Sequence, residues 1–99
     1  MPKKKKTKEE RKFMKIIGTN IQYERELKKL DQGQIGALAY GYSLPQQQNA
    51  AQKRISGIET GNKEPSASDL LRLSHALKVD MSIFFNGTSF LVRPNKPIK

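Results

Sequence analysis

Six of the seven glutamines in this chain fall between residues 32 and 58, an interval that contains no aspartate or glutamate. A carboxamide donates and accepts at once, and its geometry suits adenine, whose N7 accepts and whose N6 amino group donates. Lys53 and Arg54 lie in the same interval, so a surface made from it can approach phosphates without carboxylate repulsion. The run Gln46, Gln47, Gln48 also reads as plain polar loop. Other chemistry finds little support. The chain has no cysteine, which excludes disulfides, thiolate zinc sites and cysteine nucleophiles. Its single histidine, His75, lies in a leucine-rich amphipathic run and reads as a helix-surface residue rather than a ligand or base. With no phosphate-cradling glycine loop either, the sequence supports neither an enzyme nor a cofactor or metal site.

Charge points the same way as the glutamines. The chain has 99 residues, enough for one domain, and 19 Lys plus Arg against 9 Asp plus Glu give a formal net charge of +10. Such an excess favours polyanions, nucleic acid first and anionic membrane second. No apolar run approaches the roughly 18 residues of a membrane span, and the basic N-terminus lacks the apolar stretch of a secretory signal. The expectation is a cytoplasmic, nucleoid-associated protein. An RNA-binding role is disfavoured, because no ladder of aromatics is available to stack bases.

The elements that must position these residues read as helices. Residues 1–8, with Lys3, Lys4, Lys5 and Lys6 repelling one another, form a basic arm that is expected to be disordered when free. Residues 9–87 form the folded domain and residues 88–99 a short extended C-terminal tail. Phe13, Ile17, Ile21 and Tyr23 or Leu27 recur at helical spacing from about Glu9. Asp31 is a candidate N-cap for a second helix over residues 32–39, with Ile35, Leu38 and Ala39 as its apolar stripe. Two readings of residues 42–51 stay open. Ser43, Pro45 and Gln46 resemble a capped helix start, whereas the polar Gln46–Asn49 run favours a loop with the helix beginning near Gln52. Residues 52–59 turn Ile55 and Ile58 to the core and stop at Gly61. Ser66, with Asp69 three residues on, caps a helix whose buried face is Leu70, Leu73, Ala76 and Leu77. Asp80 caps a last short helix through Phe85. The class is all-α, with five helices and no sheet of consequence.

Three stretches in this order resemble a known family. Ile17-Gly18-x-Asn20-Ile21 with Arg25-Glu26 and Leu30-Asp31-Gln32 is similar to the first helix, and the entry to the second, of Cro/lambda-repressor-like (XRE) domains. Ile55-Ser56-Gly57-Ile58-Glu59-Thr60-Gly61-Asn62-Lys63-x-Pro65-Ser66 resembles the end of that family's recognition helix and the following turn, and Leu70, Leu73, Ala76-Leu77 and Val79 continue its fourth helix. The resemblance implies a five-helix lambda-repressor-like DNA-binding domain with a helix-turn-helix. It places Gln52, Lys53 and Ser56 against base edges, and Gln32, Asn62 and Lys63 against phosphates. Gln48, four residues before Gln52, joins the base readers if the helix starts early. Arg54 and the lysines of the arm, Lys3, Lys4, Lys5 and Lys6, are further phosphate candidates. Arg25 and Glu59 correspond to a structural ion pair between the first and recognition helices. The segment from Gly41 to Gln52 is longer than the family's tight turn, Glu24 stands where an apolar residue is usual, and Lys29 replaces a frequent helix-ending glycine.

The expected function is sequence-specific binding of double-stranded DNA as a transcriptional regulator, a repressor working as a homodimer on a palindromic operator. The dimer contact is expected from Met81 onward, where apolar residues exceed the needs of a small core. The alternative is an antitoxin or adaptor whose main partner is another protein, with Phe84-Phe85 and Phe90-Leu91-Val92 as the partner surface.

Overall fold

A computed structural model describes residues 7–41 and 45–88; Lys3 to Lys6, Ser43 and the apolar triplet Phe90, Leu91 and Val92 lie outside the described residues. Thr7 opens the first helix. Its hydroxyl accepts from the Glu10 N–H at 3.0 Å, and the Glu10 carboxylate accepts from the Thr7 N–H at 2.7 Å, a reciprocal closure that satisfies two end donors. α1 therefore runs Lys8–Leu27 with Thr7 as its N-cap. After α1 the chain turns at Lys29, which takes a left-handed backbone (φ 56°).

Asp31 and Gln34 repeat the reciprocal closure at 2.7 and 2.8 Å to start α2, Gln32–Tyr40. α3 spans Pro45–Thr60 in one unbroken stretch. The loop reading of residues 45–51 is thus corrected. Proline fits the first helical turn, and Gln46–Ala51 contains no glycine and no β-branched residue to oppose helix. Ser66 and Asp69 close the start of α4, Ala67–Leu77, at 3.0 and 2.8 Å. Asp80 then caps a five-residue 3₁₀ segment, Met81–Phe85, in place of a fifth α-helix. The fold is all-helical, and no strand occurs among the described residues.

α2 packs against both α3 and α4, while α1 packs against α3 and the 3₁₀ segment. Ile21, Ile35, Ile55, Ile58, Leu73, Leu77 and Phe84 are fully buried where these elements meet. Each such side chain contributes about 1.5–3 kcal/mol by leaving water. Two glycines set how closely helices approach. A Cβ on Gly18 would stand 2.2 Å from the Ile58 carbonyl oxygen, so α1 and α3 touch backbone to backbone there. A Cβ on Gly36 would stand 2.9 Å from that of Ala51, which keeps α2 close to α3.

Three apolar expectations change. Tyr23 (59% exposed), Leu27 (57%) and Leu38 (60%) face outward. Two residues beyond Ile21, Tyr23 is turned by about 200°, and the buried stripe of α1 is Met14, Ile17, Gly18, Ile21 and Arg25. Phe84 is wholly buried and Phe85 meets Phe13 edge to face at 6.4 Å. Phe84 therefore completes the core, with Met81 and Phe85 partly buried against it.

Candidate nucleic-acid interface

Arg25, on the last buried turn of α1, reaches across to the end of α3. Its Nε and Nη2 donate to the two Glu59 carboxylate oxygens at 2.7 and 3.0 Å, and its Nη1 donates to the Leu30 carbonyl at 2.7 Å. Both residues are buried, at 8% and 4% exposure. The hydrogen bond to Glu59 raises the Arg25 pKa above its usual value, against the lowering effect of burial. Gln32 joins them, its Nε2 donating to Glu59 Oε1 at 2.9 Å. One carboxylate thus ties together the end of α1, the start of α2 and the end of α3.

That tie uses one of the two N–H donors of the Gln32 amide, while Gln32 also lines a groove on α3. The start of α2 also offers an anion its positive end, where the first backbone N–H groups of a helix have no partner within it.

Arg54 is likewise engaged within the fold. Its Nε donates to Asp69 Oδ1 at 2.9 Å and its Nη2 to Asp69 Oδ2, a two-pronged pair between α3 and α4. The Tyr40 hydroxyl, at the end of α2, donates to Asp69 Oδ1 at 2.5 Å. Burial alone would raise the Asp69 carboxyl, but the bonds from Arg54, Tyr40 and Ser66 outweigh it and hold that carboxyl well below the usual carboxylate range. Burial and the bond to Asp69 together push the Tyr40 phenol well above its usual value. Arg54 therefore serves as a structural cation that joins α3 to α4. Nothing in the spacing marked this, because Asp69 already had a role as the capping partner of Ser66.

The remaining candidates on α3 come together. A shallow groove of about 350 Å³ is lined by Gln32, Asn49, Gln52, Lys53 and Ser56. Gln52 and Lys53 are exposed and Ser56 is half-buried. Asn49 was missed in sequence, where it counted as polar filler. Its signal was the helical spacing of three, four and seven residues to Gln52, Lys53 and Ser56. Gln48 is exposed on the same helix but does not line the groove. Asn62 and Lys63 follow α3 in an exposed turn, their N–H groups donating to the Gly57 carbonyl at 2.9 and 3.0 Å. The Lys63 stem crosses the place where a Gly57 side chain would stand, 2.8 Å from a Cβ built there.

The groove holds donors, acceptors and one kind of charge, positive. Among the described residues no group of three or more His, Cys, Asp or Glu converges to hold a metal. No described helix is long and apolar enough to cross a membrane. Comparison with family models, with curated proteins and with solved structures finds no match.

Proposed function

We propose that this chain is a helix-turn-helix regulator that binds double-stranded DNA sequence-specifically through α3. One observation carries the reading: Gln32, Asn49, Gln52, Lys53 and Ser56 share a single groove, in a stretch from residue 32 to 58 without a carboxylate. Carboxamides supply the paired donor and acceptor that adenine presents in the major groove, and Lys53 supplies charge for phosphate or guanine. The close approach of α2 to α3 at Gly36 and Ala51 supports α2 as the helix that rests on the DNA backbone while α3 enters the groove. Repression by a homodimer on a palindromic site is the mode proposed.

In vitro selection from random duplexes at fixed salt tests this. The expected outcome is enrichment of one sequence, repeated as two half-sites about one helical turn apart. Failure to enrich any duplex sequence at low or physiological salt would overturn the proposal. A second reading, an adaptor for another protein, draws on Tyr23 and Leu27, exposed four residues apart on α1. In that case Tyr23→Ser with Leu27→Ser abolishes complex formation while leaving DNA selection unchanged.

A further inference from the structure

On the side of α1 that packs against the 3₁₀ segment lies an apolar groove of about 380 Å³. Phe13 and Met14 of α1, Leu70 of α4 and Phe85 of the 3₁₀ segment form its walls. Its rim carries Glu9, Glu10 and Glu64, so three of the chain's nine acidic residues gather at one apolar edge of a protein with net charge +10. None of these residues lines the groove on α3. An apolar floor under an acidic rim fits a segment that is apolar and then cationic.

Residues 89–99 have that composition. Phe90, Leu91 and Val92 precede Arg93, Lys96 and Lys99, with no acid among them. Their origin is also adjacent to the groove. Thr88 is buried, and both its N–H and its hydroxyl donate to the Phe85 carbonyl, at 3.1 and 2.6 Å. Phe85 is itself a groove wall. Three further residues of chain reach at most about 11 Å, which brings Leu91 within range of the Phe85 end.

We propose that residues 90–96 of this same chain seat in the groove, with Phe90, Leu91 and Val92 against Phe13 and Phe85, and Arg93 and Lys96 toward Glu9 and Glu64. Tethering favours the chain's own segment over a free one, because a short linker holds it at millimolar effective concentration. The inference does not depend on DNA binding.

The absence of cysteine makes the test direct. Asn95→Cys in the full chain takes a single nitroxide, and amide signals are read in the same isotope-labelled molecule. Loss of the signals of Phe13, Met14, Glu64 and Leu70, with those of Ile35 and Gln52 retained, is the expected result. Adding Leu91→Asp is expected to restore the lost signals, and this change lies outside residues 7–88. Retention of the groove signals in the first sample overturns the proposal, and so does their continued loss in the Leu91→Asp sample. A third sample mixes nitroxide-bearing unlabelled chains with nitroxide-free labelled chains. Its groove signals are expected to stay; their loss would mean that a second copy's segment occupies the groove, which also overturns it.

Discussion

The Asp69 carboxylate accepts hydrogen bonds from Ser66, Arg54 and Tyr40, so removing its charge loosens α2, α3 and α4 together. Its folded pKa lies below the ordinary value near ~3.9. The fold therefore binds this proton less readily than the unfolded chain does. The associated stability is present in full at neutral pH and is lost as pH falls below about 4. Asp69→Asn is expected to lower stability at neutral pH by about 2 kcal/mol, discounted because Arg54 is partly exposed. It should also flatten the acid limb of a melting-temperature profile; an unchanged acid limb would remove Asp69 from this role. Arg25 and Glu59 give a different signature. Each alanine replacement leaves a buried charge without its partner, costing about 3–5 kcal/mol, whereas removing both costs less than the sum. Denaturant unfolding of the four members of the cycle measures that coupling, and strict additivity would contradict the 2.7 Å ion pair.

At the scale of elements, α3 decides how the groove meets a partner. Its 16 residues make a rod of about 24 Å, and Gln52 lies about two turns from its start. A major groove roughly 8.5 Å deep cannot take that length end-on, so under the proposed DNA-binding reading α3 lies along it. Gln52→Ala is then expected to weaken binding to the selected site by about 1–3 kcal/mol and relax preference at one base pair; equal weakening on all sequences would make Gln52 a backbone contact. Much of the helical frame was legible, because Asp31, Ser66 and Asp80 are caps whose partners lie two or three residues away. The start of α3 was not. Gln47, Gln48 and Asn49 are all exposed, so no apolar rhythm marks that turn; Ala51 is buried against Gly36, but a single small residue carries no period. The pairing of Arg54 went unread for a related reason. Its partner sits fifteen residues downstream on another helix, and sequence spacing carries no record of a contact between helices. Arg25 and Glu59 were legible only through the family resemblance.

For the molecule as a whole, a net charge of +10 makes affinity for any polyanion fall steeply with salt. Because Thr7 caps α1, the arm can be removed cleanly by deleting residues 1–6, leaving Thr7 in place. On DNA, every phosphate that the arm neutralises adds about 0.9 to the slope of log affinity against log salt, and the deletion is expected to reduce the slope by that amount for each. Binding isotherms at several salt concentrations read this slope, and an unchanged value would show that Lys3 to Lys6 do not touch the backbone.

The reciprocal closures at Thr7 with Glu10, Asp31 with Gln34, and Ser66 with Asp69 have a kinetic consequence. Each pairs groups only three residues apart, so these helix starts can form without closing any long loop. The conformational search then reduces to docking rods whose ends are already set, and refolding should relax in roughly the microsecond-to-millisecond range of helical domains. Replacing Thr7, Asp31 and Ser66 by alanine should slow refolding to the extent that the helix starts are formed in the transition state. If only the unfolding rate rises, the closures form after the docking step.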